Sequence, residues 1–241
     1  MSRRTLRIAL VALSGAAVLA LAACATPAAP AGTPEPASED AALNPKPVVM
    51  GDVSVGWAGV GNAVAVVTLG SSTCLPTAGE PARDADGAVL ITLIDPADTA
   101  CTADLVPRAT LAAVPEDVDP TADALVRIVW NDEKVDLPLT AVPAISAGDY
   151  ESAAYRSGGD RFTVLTWGSS SCAPIVDTVN ADGSVIAVTF AEQPADRMCT
   201  MDMAPRITPV QLDAAALETA ETVTIQGGMD FPEPREVALH G

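Results

Sequence analysis

The chain has 241 residues, enough for one large or two small domains. It carries 31 Asp and Glu residues against 13 Lys and Arg, so its formal net charge is −18 at pH 7. A surface this acidic repels nucleic acids and anionic lipid head groups, and we expect no nucleic-acid partner. Aromatic residues make up only 3% of the chain, so core burial per residue is modest and covalent cross-links would help the fold.

An export signal is predicted at residues 1–23. Arg3, Arg4 and Arg7 precede residues 8–21, an uncharged and mostly apolar run. This run is shorter than the roughly 20 apolar residues that a helix needs to span a bilayer. A basic start, a short apolar run and a small-residue end are typical of a secretory signal peptide.

The signal ends in Leu21-Ala22-Ala23-Cys24, which resembles the lipobox of bacterial lipoproteins. The resemblance implies that the signal is removed before Cys24 and that a diacylglycerol, typically with palmitate, is attached to the Cys24 thiol. The chain would then be anchored at the extracytoplasmic face of the cell membrane, each buried CH₂ contributing roughly 0.8 kcal/mol. Removal of the signal leaves 10 basic residues (13 − 3) against 31 acidic ones, a net charge of −21. The alternative is an ordinary cleaved signal followed by a chance cysteine.

Residues 24–47 are predicted to form a disordered tether. They are rich in Ala and Pro and include Glu35, Glu39 and Asp40. Such a segment cannot bury enough apolar surface to order itself. We expect a partly extended spacer of up to about 3.1 Å per residue, which holds a folded body away from the membrane.

The remaining sequence contains a tandem repeat. GSSTCLP at residues 70–76 recurs as GSSSCAP at residues 168–174, and CTADLVPR at residues 101–108 recurs as CTMDMAPR at residues 199–206. Both pairs are displaced by 98 positions (172 − 74 and 199 − 101). We therefore predict module 1 at residues 48–145 and module 2 at residues 146–241, with a boundary near residues 144–148.

The repeat also predicts the cysteine pairing. With Cys24 lipidated, four cysteines remain in an oxidising compartment, and four cysteines allow three connectivities. Only Cys74–Cys101 with Cys172–Cys199 keeps each disulfide within its own module. Each bridge spans 27 positions (101 − 74 and 199 − 172), for which chain-entropy arguments give roughly 3.5 kcal/mol. The alternative, a cysteine metal site, is disfavoured by the wide spacing and the lack of a nearby histidine.

Strand patterns dominate both modules. Thr222, Thr224 and Gln226 alternate with Val223 and Ile225, and further strand runs lie at residues 63–69, 89–94, 162–167 and 185–190. Turn signals such as Asp-Gly and Gly-Gly separate these runs. Short turns between strands predict an all-β fold of two tandem antiparallel β-sandwich-like modules, each with one disulfide. Residues 212–220 are expected to hold a short helical turn.

The Gly-Ser-Ser-x-Cys segments are compatible with two roles. Their glycine and hydroxyl groups suit a backbone nest for an anion, or a tight turn whose amides the hydroxyls satisfy. We favour the turn, although twin binding sites would also recur in both modules. Asp104 and Asp202 lie four residues before Arg108 and Arg206, so local ion pairs that contribute little are expected there.

Metal sites are not predicted. Met198, Met201 and Met203 flank Cys199 and suggest copper(I), which soft thioethers bind. Module 1 lacks methionine at the matching positions, so we interpret the methionines as adaptable core filling. The segments at residues 84–87 and 180–183 resemble the start of a calcium loop but lack its bidentate glutamate, and hairpin turns are expected instead.

No catalytic residue is predicted either. The one histidine, His240, lies next to the C-terminus, where ordering is often poor, and this argues against Ser-His and Cys-His chemistry. A carboxylate-pair enzyme stays open because acidic residues are plentiful. The few large rings are expected mostly in the core rather than in an exposed binding patch.

The lipobox, the Ala/Pro tether, the acidic β modules and the Trp-Gly-Ser-Ser-Ser-Cys segment at residues 167–172 together resemble actinobacterial cell-envelope lipoproteins. The resemblance implies no particular activity. We expect a membrane-anchored, extracytoplasmic and non-enzymatic binding or envelope module without a cofactor, its partner an envelope protein or glycan. The alternatives are a carboxylate-based, glycan-acting envelope enzyme, a metal-binding lipoprotein, and a structural envelope component.

Overall fold

Two tandem copies of a strand pattern make up the computed structural model, which describes residues 52–142 and 150–241. We call residues 52–142 the first half and residues 150–241 the second half. The predicted signal peptide, the tether, Cys24 and the module boundary near residues 144–148 lie outside the described residues. Strands account for 52% of the structure and helix for 4%.

The first half contains eight strands: β1 (Ser54–Trp57), β2 (Ala63–Gly70), β3 (Thr77–Ala78), β4 (Ala82–Arg83), β5 (Val89–Ile94), β6 (Val106–Ala113), β7 (Ala124–Trp130) and β8 (Glu133–Leu139). β1, β2 and β6 form an antiparallel sheet in which Ala63 pairs with Ala113. The other five strands form a second sheet in the order β3-β5-β7-β8, with β4 beside β5.

The second half contains β9 (Ala153–Gly158), β10 (Arg161–Gly168), β11 (Val176–Asp182), β12 (Val185–Phe190), β13 (Ala204–Gln211), α1 (Ala214–Thr219), β14 (Thr222–Gly227) and β15 (Phe231–His240). Its strands form one sheet in the order β11-β12-β14-β15-β9-β10-β13. Arg161 of β10 pairs with Gln211 of β13, which repeats the pairing of Ala63 with Ala113 at the same displacement of 98 positions. The Asp213 side chain begins α1 by accepting from the amides of Ala215 and Ala216.

The predicted pair of antiparallel sandwich modules is wrong. The chain forms a β-solenoid of about four turns, and the described residues belong to one compact unit. The sheets are also mixed, because β5 pairs with β7, β12 with β14 and β15 with β9 in parallel. The chain between β5 and β7 passes through β6 of the other sheet, and the chain between β12 and β14 passes through β13 at the far end of the same sheet. Short sequence turns do not reveal such connections.

Strands that are buried on both faces explain why the halves are not separate modules. All four residues of β1 and the first six of β2 are buried. Val64 and Val66 point into the core of the first half, whereas Ala63 and Ala65 pack with Ala58 in a separate cluster that contacts Ile207 of the second half. A sandwich module would leave the outer face of its sheet polar, but here that face is covered by the other half.

Contacts at this junction are close. A Cβ atom on Gly56 would lie 2.1 Å from the carbonyl oxygen of Arg156, so β1 and β9 pack backbone against backbone. Gly59 lies directly under the ring of Tyr155, and Tyr155 itself belongs to the core cluster of the first half. Arg161 donates to the carbonyl oxygen of Asp52 at 2.5 Å. The core of the first half therefore includes side chains of the second half, among them Ala153 and Tyr155.

Candidate functional site

Each half carries a loop in which hydroxyl groups surround one aspartate. We call these loops the hydroxyl clusters; they consist of Ser71, Ser72, Thr73, Thr102 and Asp104 in the first half and Ser169, Ser170, Ser171, Thr200 and Asp202 in the second. The amide of Ser72 donates to Asp104 at 3.1 Å, and the amide of Ser170 donates to Asp202 at 3.1 Å. The hydroxyl of the threonine donates to the same carboxylate in each cluster. Two copies with the same contacts favour a structural role.

These hydrogen bonds determine the titration of both aspartates. The Ser72 hydroxyl, the Thr102 hydroxyl and the Ser72 amide lower the pKa of Asp104 to about 2. The Thr200 hydroxyl and the Ser170 side chain and amide lower the pKa of Asp202 to about 2. Both carboxylates are thus kept ionised by the donors of their own loop.

One arginine lies beneath each hydroxyl cluster. Arg108 donates from Nε to Thr68 Oγ1 at 3.2 Å and from Nη1 to the carbonyl oxygens of Ser71 and Cys74. A Cβ atom on Gly70 would lie 2.4 Å from Arg108 Cζ, so the motif needs glycine where the chain crosses the guanidinium. This contact explains why a glycine precedes the serines.

The second arginine, Arg206, shares with Arg108 the contact to the carbonyl oxygen of the first cysteine of its half. It donates to the carbonyl oxygens of Cys172 at 3.1 Å and Trp167 at 3.0 Å, and its Nη2 lies 2.9 Å from Asp230 Oδ2. The predicted local ion pairs of Asp104 with Arg108 and of Asp202 with Arg206 are wrong. Across the described ranges, the only acidic partner of Arg206 is Asp230, and Arg108 has none.

The two disulfides that the sequence predicts are present. Cys74 is bonded to Cys101 and Cys172 to Cys199, with Cα–Cα distances of 5.5 and 5.6 Å. Each bridge ties the loop that follows β2 or β10 to the loop that leads into β6 or β13. The hydroxyl clusters lie directly beside these bridges.

The halves differ at one core position that sequence analysis did not identify. In the first half Leu93 pairs with Trp130, and in the second half Phe190 pairs with Gly227. The buried residues of β5 (Val89, Ile91 and Leu93) match those of β12 (Ile186, Val188 and Phe190) at a displacement of 97 positions, one fewer than in the motifs. At this displacement Gly227 holds the place of Trp130 (227 − 130). The Trp130 side chain is 2% exposed, donates from Nε1 to Asp95 at 3.0 Å and has Arg108 Cζ 5.4 Å from its ring centroid. Aligning the Val129-Trp130 and Gln226-Gly227 dipeptides of the repeats would have revealed this difference.

A cavity of about 190 Å³ lies in the second half beside Gly227. Its walls include the Cys172–Cys199 disulfide, Phe190, Phe231, Pro174, Arg206 and Met229. The rings of Phe190 and Phe231 lie beside it with their centroids 5.7 Å apart. Arg206 is 5% exposed, yet its Nε has no hydrogen-bond partner. The cavity is therefore mostly apolar, and its polar side chains are Ser169, Gln193, the buried Arg206 guanidinium and the Asp230 carboxylate.

A second, larger concavity of about 520 Å³ separates β9 from β15. These parallel strands pair only at Leu239 with Ala154 and at His240 with Tyr155, so their chains diverge before this point. Two glutamates, Glu151 and Glu236, line the resulting groove. Glu151 and Glu236 are the two acids in this groove that a carboxylate-pair enzyme could use.

His240 is the last residue of β15, and not part of a poorly ordered terminus as the sequence suggested. Its ring stacks on Tyr155 at a centroid distance of 5.1 Å. Burial raises the pKa of the Tyr155 hydroxyl. Among the hydrogen bonds of residues 52–142 and 150–241, none joins His240 to a serine or cysteine.

The interpretation of the methionines as core filling is wrong. Met198 is 91% exposed, Met201 is fully exposed and Met203 is 59% exposed. Met229, also 59% exposed, lies at the mouth of the cavity. Within the described part of the chain, no group of three or more His, Cys, Asp or Glu residues could hold a metal ion.

In the first half, the segment at residues 84–87 that resembles the start of a calcium loop binds an arginine side chain. Arg127 Nη1 lies 2.6 Å from Asp84 and 3.1 Å from Asp86, and Arg127 Nε lies 2.7 Å from Asp136. The Arg127 side chain lowers the pKa of Asp84. These acidic residues therefore form a surface network around one arginine and stabilise the turn before β5.

Comparison with protein-family models, with curated proteins and with solved structures found no match for this chain. Among the helices of the described ranges, none has the length and apolar character required to cross a membrane.

Proposed function

We propose that this chain is a lipid-anchored, extracytoplasmic and non-enzymatic binding protein. The observation that supports it best is the cavity beside Gly227, because the same position in the first half is filled by the Trp130 indole. The two halves thus differ at this position: the first half fills it with a side chain of its own, and the second half leaves it open to a ligand. A concave, mostly apolar site with a few polar groups has the character of a small-molecule site, although about 190 Å³ is small for one.

The proposed lipid anchor is supported by the sequence Leu21-Ala22-Ala23-Cys24. Identifying the first residue of the mature chain and its modification tests it. We expect intact-mass and peptide analysis of the membrane fraction to show a chain that begins at Cys24 and carries a diacylglycerol on its thiol. A mature chain that starts elsewhere, or a Cys24 without acyl groups, would contradict the anchored location. Neither result would affect the binding proposal.

Binding is tested by exposing the purified chain to an envelope extract, removing unbound material and identifying retained molecules by mass spectrometry. We expect a specific molecule to be retained by the native chain and by Met198→Trp, whose exposed position lies outside the cavity wall. Met229→Trp, which places a large ring at the cavity mouth, should retain less of it. An extract from which nothing specific is retained argues against a binding protein.

A carboxylate-based, glycan-acting enzyme is the second candidate, since Glu151 and Glu236 line the groove between β9 and β15. This candidate requires that the chain release reducing ends from envelope glycans and that Glu151→Gln and Glu236→Gln each abolish the release. Glu233→Gln is the matched control, because Glu233 is exposed on β15 outside the groove.

A metal-binding lipoprotein is the third candidate, supported by the exposure of Met198, Met201 and Met203. Soft thioethers on a surface are free to bind copper(I), unlike buried ones. A titration with copper(I) that shows no stoichiometric uptake would remove this candidate.

A further inference from the structure

We propose that the cavity beside Gly227 binds the aromatic ring of a small molecule, with the ring where the first half places its own indole. This inference rests on the proposed binding function and specifies the ligand class. Its first support is the register, in which Gly227 takes the position of Trp130. The buried Trp130 of the first half thus shows that this position of the fold can accommodate an indole ring.

The walls of the cavity suit an aromatic ring. Phe190 and Phe231 offer ring edges and faces, and aromatic pairs at such distances gain free energy beyond area burial. Met229 supplies a thioether at the mouth, and sulfur–aromatic contacts are favourable. The volume of about 190 Å³ is of the size that a single ring fills, since an apolar cavity of about 150 Å³ binds benzene.

The buried guanidinium is the second, independent support. Arg108 has its Cζ 5.4 Å from the centroid of the Trp130 ring, whereas Arg206 has no aromatic partner across the described residues and keeps an unpartnered Nε. A ring bound in the cavity would restore the cation–π contact that the first half already has. A guanidinium at 5% exposure gains from such a partner because water cannot solvate it well.

The edge of the cavity adds a preference for a ring that carries an N–H donor. In the first half the Trp130 N–H is accepted by Asp95 at 3.0 Å. In the second half the Asp230 carboxylate lines the cavity, and one of its oxygens lies 2.9 Å from Arg206. A carboxylate has about four acceptor positions, so Asp230 retains capacity for an N–H of the ligand. Indole is therefore the best simple probe.

Indole is to be titrated into the purified full-length chain whose methionine methyl groups carry ¹³C. We expect one binding site per chain and a ring-current shift of the Met229 methyl signal, with the signals of Met198 and Met201 unchanged. Cyclohexanecarboxamide, a neutral molecule of similar size that has N–H donors but no aromatic face, should bind at least about tenfold more weakly. Benzofuran, which has the shape of indole but lacks the N–H, should bind more weakly than indole.

Two matched truncations locate the site. Met229→Ala should weaken indole binding about two- to tenfold, in line with the free energy of one sulfur–aromatic contact. Met198→Ala should leave it unchanged, because Met198 is 91% exposed and not in the wall. No shift at Met229 up to the solubility of indole, equal binding of cyclohexanecarboxamide, or equal effects of both truncations overturns the proposal. Retention of a non-aromatic envelope molecule would then leave the binding function standing without this ligand class.

Discussion

At the scale of single residues, the hydroxyl clusters show how a surface loop fixes its own carboxylate. Asp104 accepts from the Ser72 amide and from the Thr102 hydroxyl, and Asp202 has the same donors in the second half. These donors favour the charged form of the acid. The clusters therefore order the loops beside each disulfide.

The pH dependence follows from the lowered pKa of Asp104, about 2 in the folded chain against the ordinary value of 3.8. The contribution of this group to stability is present above pH 3.8 and is lost as the pH falls through about 2. We expect carboxyl-carbon NMR to show Asp104 and Asp202 titrating near pH 2. Thr102→Val should raise the pKa of Asp104 and leave that of Asp202 unchanged. An Asp104 that titrates near 3.8 in the native chain would contradict the cluster geometry.

Residue patterns predicted the turn role of the Gly-Ser-Ser-x-Cys segments, but they paired the nearby charges incorrectly. Sequence spacing places Asp104 four residues from Arg108, yet a spacing of four brings side chains together only on a helix. Here the segment runs into strand β6, and Arg108 turns under the preceding loop toward main-chain carbonyls. The position of the Arg108 side chain depends on its hydrogen bond to Cys74, 34 residues earlier in the chain. A local sequence pattern does not contain such a contact.

At the scale of elements, the strand runs were recognised because they are apolar and bounded by turns. All five predicted runs lie within β2, β5, β10, β12 or β14, and the expected helical turn contains α1. The sheet arrangement was not recognised. Residues 63–67 are an uninterrupted apolar run, and such a run indicates burial on both faces more than one face of a sandwich.

The close approach of β1 and β9 gives a prediction about stability. Gly56→Ala would place a Cβ atom 2.1 Å from the carbonyl oxygen of Arg156 and 2.8 Å from Ser157 Cα. Both are backbone atoms that cannot move aside without shifting β9. We expect a loss of about 2 kcal/mol or more in the free energy of unfolding, measured with urea.

Gly79→Ala is the matched control for this substitution. The nearest atoms to its added Cβ lie 3.6 Å away, an ordinary contact distance. A change of no more than about 0.5 kcal/mol is expected there. Equal stability of the Gly56→Ala and Gly79→Ala variants would mean that the halves are not packed as described.

At the scale of the whole molecule, the sequence repeat was recognised, but the packing of the two repeats into one solenoid was not. A displacement of 98 positions relates the motifs and also relates the pairing of β2 with β6 to that of β10 with β13. From it we predicted the disulfide pairs, which are present. The difference between the halves at Trp130 and Gly227 is equally present in the sequence, yet its meaning depends on knowing which side chains share an interior.

The alanine-rich junction has a further implication for the two halves. β1 lies against its counterpart β9, and β6 lies against its counterpart β13. Reciprocal contacts of this kind are those of a two-fold symmetric homodimer. In such a dimer every substitution is present on both sides of the interface. Here the counterparts belong to one chain, so the indole of Trp130 in one half does not require an indole in the other.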